Sequence, residues 1–321
     1  MNADMLYDAI GEIWEDLVED AEQAHVSAWK RFGRAATAAC LVVSLLALPV
    51  GAEIRNGYVS NLLAPLYGGA QTELVDHIGV PIGASVTVGD YTLTADAVIG
   101  DRYNIAIVYS LTRVDGGELA ERTCFSGYSS SLIYAGSGGG MFSPKLSDDR
   151  RTLYITQTWT SLGRFRLWNR NVEIDFSDLV VSNGDGTQTL IAEGNWKLEF
   201  IVRYEDTTQK LAVKNFTVTS EENKEYRVKK ILLSPLGVHI DLTMPNPYSE
   251  GIDEATAAHD FTVAVSLKDG TTLELTNRNF GWSGDMESDT FNADFGVMFE
   301  TPIPMDEIQA LILCGTRVPV E

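Results

Sequence analysis

The chain is poor in the side chains that most often carry chemistry. Its 321 residues include three cysteines and four histidines. Cys40, Cys124 and Cys314 are too few for a disulfide scaffold or a four-thiolate zinc site. His25, His77, His239 and His259 are scattered, with no HExxH and no His-x-His pair. There is no GxSxG elbow and no SxxK, so no nucleophile–base set can be named. Bases are scarce too: 24 Lys and Arg face 45 Asp and Glu, a net charge of −21. A nucleic-acid binder must neutralise phosphates with Lys and Arg, and this balance argues against that class.

Uncharged apolar stretches are equally rare, and the single long one is informative. Residues 35–52 read AATAACLVVSLLALPVGA, 18 residues without a charge. At about 1.5 Å per residue such a helix comes close to the ~30 Å hydrocarbon core of a bilayer. It shows no polar face, as a helix at a soluble core would. A cleaved signal peptide is the rival reading, with Val50-Gly51-Ala52 as a small-residue cleavage site. Signal peptides start short and basic, however. Here 34 residues precede the apolar run, and the first 23 of them carry eight acids and no base. We therefore expect an uncleaved transmembrane helix over 35–52. Lys30, Arg31 and Arg34 on its N-terminal flank predict a cytoplasmic N-terminus, with the C-terminal bulk outside.

In the tail, residues 1–34, Leu6, Ile10, Ile13, Leu17 and Ala21 recur at helical spacing and form one apolar stripe. Acids cover the other faces. An isolated helix of about 20 residues has no core in which to bury that stripe. It either frays in the cytosol or docks into a partner, with Leu6, Ile10, Ile13 and Leu17 as the contact.

After a linker over 53–78, whose NLLAPLYGG run can pack back on the first β domain, the pattern changes to alternation. Tyr91, Leu93 and Ala95 alternate with Thr92, Thr94 and Asp96; Ile105, Ile107 and Tyr109 continue the pattern. Short runs rich in Val, Ile, Thr and aromatics extend to the C-terminus, divided by turn signals. Strands at that spacing predict a mainly β protein with two tandem β-sandwich domains, 79–220 and 221–321. A faint internal echo supports the division. Tyr91-Thr92-Leu93, a turn at Gly100-Asp101 and Ile105-Ala106-Ile107 match Tyr226-Arg227-Val228, a turn at Ser234-Pro235-Leu236-Gly237 and Val238-His239-Ile240.

No catalytic residue, metal ligand or cofactor is expected. The run Gly136-Ser137-Gly138-Gly139-Gly140 lacks a following Gly-Lys-Ser/Thr and reads as a flexible loop. Asp253-Glu254 and Asp285-Glu287-Asp289 read as solvated acidic faces, with cation binding as the alternative. Trp159, Phe165, Trp168, Phe280 and Trp282 read as core aromatics, with stacking on sugars as the alternative. Cys124 and Cys314 fall in different predicted domains and are expected to stay unbridged.

Several segments together resemble the DUF4179 family, anti-sigma-factor-like membrane proteins of Gram-positive bacteria. They are Leu6-Tyr7-Asp8-Ala9-Ile10-Gly11-Glu12-Ile13, Trp29-Lys30-Arg31 before the single apolar run, and Gly89-Asp90-Tyr91-Thr92-Leu93-Thr94-Ala95-Asp96. Gly194-Asn195-Trp196-Lys197-Leu198-Glu199-Phe200 and the immunoglobulin-like C-terminal half, closing on Ile312-Leu313-Cys314-Gly315-Thr316, complete the set. The resemblance implies a non-enzymatic regulator in the cell membrane. Its tail would hold an extracytoplasmic-function sigma factor, and its outer immunoglobulin-like domains would sense an unknown ligand or stress. The other expectation, from a different class, is a surface adhesion or carbohydrate- and peptidoglycan-binding protein using Trp168 or Trp282.

Overall fold

The structure, a computed structural model, describes residues 57–320 apart from 70, 135–137, 163–166, 214–215, 247, 249–259, 277 and 285–287. All of them belong to one unit, Cys40–Glu321. The predicted tail, with its stripe Leu6, Ile10, Ile13 and Leu17, and the linker's first residues lie outside the described residues, as does the predicted span 35–52. Among the described residues no helix is long and apolar enough to cross a membrane.

The described chain is mainly β. It begins with three short helices in the predicted linker: α1 (Tyr58–Leu62), α2 (Ala64–Tyr67) and α3 (Thr72–Ile78). Pro65 in the first turn of α2 has no N–H to leave unpaired, and Gly68, at φ 63°, ends that helix. Asp76 of α3 accepts the backbone N–H groups of Gly57 and Ser60 at the start of α1, the latter at 2.7 Å. Burial would raise the Asp76 carboxyl, but these donors hold it below the usual range. Val59, Leu63, Tyr67, Val75 and Ile78 then form an apolar cluster with Ala97, Ile99, Ala106, Val108 and Leu236. This segment is therefore a packed cap, in keeping with its apolar NLLAPLY run.

Among the described residues eight strands make the first half: β1 (Gly79–Val88), β2 (Tyr91–Gly100), β3 (Asn104–Arg113), β4 (Thr123–Ser130), β5 (Gly138–Leu146), β6 (Thr152–Ser161), β7 (Arg170–Ser182) and β8 (Gln188–Val202). They form two antiparallel sheets, β1-β2-β3-β6-β5 and β4-β7-β8. Residues of both sheets share one core, including Leu93, Ile107, Tyr109, Ile174, Phe176 and Trp196. A bulge between Ala95 and Ala97 reverses the alternation of β2. Leu93 and Ala95 face that core before it; Ala97 and Ile99 face the helical cap after it. A one-residue slip moves a strand's side chains to the other face, and here it lets one strand serve two clusters.

Among the described residues ten strands make the second half: β9 (Gln209–Lys210), β10 (Phe216–Thr219), β11 (Glu225–Ser234), β12 (Gly237–Pro245), β13 (Val263–Leu267), β14 (Thr272–Glu274), β15 (Arg278–Ser283), β16 (Thr290–Met298), β17 (Ile308–Leu313) and β18 (Thr316–Pro319). β10-β11-β12-β16-β15 form one sheet, with β9 also on β11; β14-β13-β17-β18 form another. Tyr226, Ile240, Phe261, Phe295 and Leu311 lie in their common core.

Two local differences from the sequence reading have clear causes. Residues 209–210 and 216–219, placed by sequence at the end of the first domain, pair with β11. Leu211 and Val218 are drawn into the second core, so sheet membership changes between Val202 and Gln209 rather than near 220. The glycine run expected as a loop enters β5 at Gly138, pairing Gly138, Gly139 and Gly140 with Ser161, Thr160 and Trp159. A Cβ at Gly140 would overlap the Thr158 carbonyl and the Trp159 ring. Glycine is thus needed there for close backbone approach rather than for flexibility.

Candidate functional site at the seam between the halves

The two hairpins that echo each other in sequence meet at their tips. Asp101 opens the β2–β3 turn and Ser234 the β11–β12 turn. Asp101 is buried, and one carboxylate oxygen accepts the backbone N–H groups of Tyr103 at 2.7 Å and Asn104 at 2.6 Å. The other accepts the Asn104 amide at 2.9 Å and the Ser234 hydroxyl. Ser234 Oγ in turn accepts the N–H groups of Leu236 at 3.0 Å and Gly237 at 3.2 Å. One hydroxyl thus ties up its own turn and donates its proton across the seam. Burial pushes the Asp101 carboxyl up, while Ser234, Asn104 and the backbone donors pull it down; the net direction is upward.

Neighbouring groups complete the latch. Thr160 donates to Asn104 Oδ1 at 2.9 Å, and Tyr204 donates to the Asp101 carbonyl at 3.1 Å. Arg102 pairs with Asp206 at 3.0 Å. Gly237 has to be glycine for steric reasons: a Cβ there would overlap the Val297 carbonyl and crowd the Asn104 amide at 2.8 Å.

Beside the latch lies a cluster of ionisable groups. Along β12, Val238, Ile240, Leu242 and Met244 point into the second core. By strand alternation His239 and Asp241 point the other way, towards what would be solvent in an isolated half. His239 is nevertheless only 3% exposed. The first half covers it: Tyr103 stacks on the imidazole with centroids 3.9 Å apart and planes within 4°. His239 Nε2 lies 2.9 Å from Asp241 Oδ1 and 3.6 Å from Asp294 Oδ1. Asp294, on β16, is the register partner of Asp241. Burial lowers the His239 pKa, but Asp241 and Asp294 outweigh it and the net direction is upward. Burial raises Asp241, yet His239, Lys230 and Asp294 hold it below the usual range. Among the described residues this is the group of His, Cys, Asp and Glu whose ligand atoms converge, all within 4.8 Å.

A second feature flanks the seam. Gly138 and Leu162 from the first half, with Tyr248, Asn279, Phe280, Gly281 and Trp282 from the second, line an open groove of about 610 Å³. Tyr248 is 52% exposed, Trp282 half-buried and Phe280 buried. Phe280 and Trp282 meet edge to face, 6.0 Å between centroids.

The remaining candidates separate. The stripe residues Leu6, Ile10, Ile13 and Leu17 lie outside the described residues, as do Phe165, Asp253-Glu254 and Asp285-Glu287. Trp159 is buried in the first core, and Trp168 packs half-buried against it with the Arg102 guanidinium 5.7 Å over its ring. Neither Cys124 nor Cys314 forms a disulfide among the described residues. Sequence reasoning misses the His239 cluster when it looks only for histidine pairs. The usable signal is His239-Ile240-Asp241, two ionisable side chains on one face of a strand whose other face is apolar.

No protein-family model and no curated protein matches the sequence. Among solved structures, the crystal structure of the conserved domain protein from Bacillus anthracis is similar. It is 15% identical at a TM-score of 0.48, covering 73% of this chain and 76% of that one.

Proposed function

We propose that this chain is a non-enzymatic, single-pass membrane regulator. Its two outer halves, read as immunoglobulin-like sandwiches, sense the envelope. Its cytoplasmic tail holds an extracytoplasmic-function sigma factor through Leu6, Ile10, Ile13 and Leu17. The apolar run 35–52, the basic flank Lys30, Arg31 and Arg34, and the resemblance to DUF4179 proteins support the membrane and tail assignments. The observation that carries the sensing role is the polar seam. A joint closed by Asp101 and Ser234 is strong only while every donor has its acceptor, so it favours discrete arrangements over gradual deformation. A ligand that binds one arrangement better shifts the population, and the tail's affinity for its partner shifts with it. The test is recovery of a sigma factor with the full chain extracted in detergent. Changing Ile10 and Ile13 to Asp abolishes recovery if the stripe is the contact; unchanged recovery refutes it.

The aromatic groove favours a second reading, a wall-facing carbohydrate-binding protein. Tyr248 and Trp282 supply partly exposed rings of the kind on which sugars stack. Trp168, packed on the first core, is a poor candidate for that role. This reading expects the full chain to be retained on peptidoglycan and released by Trp282→Ala; equal retention of the variant counts against it.

A further inference from the structure

We propose that His239, Asp241 and Asp294 form a binding site for one divalent transition-metal cation of the zinc type, built on the outer face of β12 and β16 and closed by Tyr103 of the first half. The proposal goes beyond the regulatory reading and does not depend on it.

Four observations carry it. Asp241 and Asp294 stand directly opposite each other across two paired strands. Like charges in that relation destabilise a sheet unless a cation lies between them. The imidazole on the near side aims Nε2 at both carboxylates and, once neutral, offers that lone pair to such a cation, whose binding therefore releases a proton. Lys230, the other base in reach, lies 3.8 Å from Asp241 Oδ2, the oxygen turned away from His239. The ring is held rigidly by stacking on Tyr103, and its Nδ1 is buried without a hydrogen-bond partner. All its polar contacts are therefore on the Nε2 side, aimed between the two carboxylates. Finally, the spacing fits a metal. Donors about 2.0–2.2 Å from a tetrahedral zinc lie roughly 3.3–3.6 Å apart. The His239 Nε2 to Asp294 Oδ1 distance is 3.6 Å and Nε2 to Asp241 Oδ1 is 2.9 Å, with all three donors within 4.8 Å of one another, so rotation of the two partly exposed aspartates has to bring the set to that spacing.

One nitrogen and two carboxylate oxygens select zinc or a neighbouring transition metal over calcium and magnesium, which take oxygen-only shells. The two carboxylates are about one-third exposed, with side-chain exposures of 33% and 37%. That leaves a fourth position open to water. Because Tyr103 belongs to the first half and the ligands to the second, an ion here stiffens a ring that both halves share.

The test uses the full, untagged chain in detergent, stripped with a chelator and titrated with zinc chloride and with cobalt(II) chloride. Salt is held at about 0.15 M, where diffuse surface charge is screened over roughly 8 Å. We expect one saturable ion per chain and visible cobalt bands of a four-coordinate nitrogen–oxygen site. Asp294→Asn and His239→Gln should each weaken binding by at least about tenfold, while Asp306→Asn, an exposed acid elsewhere, leaves it unchanged. Far-UV circular dichroism confirms that the variants are folded. Asp294→Asn is isosteric and partly exposed, so it retains the fold even if His239→Gln does not. Two results overturn the site: uptake that never saturates at one ion, or equal affinity in Asp294→Asn and Asp306→Asn.

Discussion

The interiors of the two halves and the seam between them are built from opposite materials. Each half closes on aromatic and aliphatic side chains, such as Tyr109, Phe176 and Trp196 in the first and Tyr226, Phe261 and Phe295 in the second. The seam closes on Asp101, Asn104, Thr160, Ser234 and His239, all buried. Apolar burial is non-directional and tolerates repacking. A buried polar network is directional and depends on every partner being present. The cores therefore supply the stability of each half, and the seam specifies how the halves are arranged.

The largest expected effect comes from attacking a core. Trp196→Ala removes a fully buried ring whose indole N–H also donates to the Tyr91 carbonyl at 3.2 Å. Phe295→Ala does the same in the second half without the polar contact. Each should cost about 3–5 kcal/mol, read as a shift of the urea midpoint in unfolding of the full chain followed by fluorescence. The comparison breaks if either variant loses less than Ser234→Ala.

Ser234→Ala should come next. It strips Asp101 of one donor and leaves the N–H groups of Leu236 and Gly237 without their acceptor. Each buried group left unpaired costs about 1–3 kcal/mol. Two such groups set the loss at no less than about 2 kcal/mol, with one feature that core variants lack. Because the seam and not a core is weakened, unfolding should split into two transitions. A single transition of reduced stability would mean that the halves hold together without the latch.

Much of this comparison is legible in the sequence, but not all. Alternation at Leu93 and Ala95, and at Val238, Ile240 and Leu242, marks the core faces correctly because strand period and burial agree there. The turn signals at Gly100-Asp101 and Ser234-Pro235-Leu236-Gly237 mark the hairpins, since turns are local chemistry. That the two turns plug into each other is not legible, because it depends on contacts 133 residues apart. His239 escapes for the same reason: alternation places it on an outer face, and the first half then covers that face. The glycine run at β5 reads as loose because a glycine needed for close approach looks, in sequence, like one placed for flexibility.

A smaller effect sharpens the contrast between hydrogen-bonded and merely buried carboxylates. Asp96 sits at the β2 bulge with one donor, Ser110 Oγ at 2.9 Å, where Asp101 has several. Burial pushes its pKa up from 3.8 to about 6, partly offset by Ser110. Since the folded value is raised, the native state binds the proton more tightly than the unfolded chain. The group's contribution is most favourable below pH ~4 and is lost as pH rises through about 6. The full displacement is worth at most about 3 kcal/mol, and the half-buried setting reduces it. Asp96→Asn keeps an acceptor for Ser110 and should stabilise the protein at pH 7 by about 1–2 kcal/mol. It should also flatten the stability profile between about pH 4 and 6; an unchanged slope there would assign the titration to another group.

The smallest effect belongs on the surface, where neither apolar burial nor a closed network operates. Lys197 on β8 lies 2.8 Å from Glu173 and 3.2 Å from Glu199, on an open face of the first half. Glu173 foremost raises its pKa, burial opposes it, and Glu199 adds to the rise, so the net direction is upward. All three side chains are about half exposed, so water and salt screen the attraction and ordering the long chains opposes it. Lys197→Met should change stability by no more than about 0.5 kcal/mol, and that difference should vanish at about 1 M salt, where the screening length falls to roughly 3 Å. The Ser234→Ala loss should persist in the same salt, because no counter-ion reaches a carboxylate enclosed by Asn104, Tyr103 and the opposing hairpin. If both losses faded together, the seam would be solvent-accessible, and specification of the arrangement would have to be sought in the apolar contact of Leu236 with the helical cap instead.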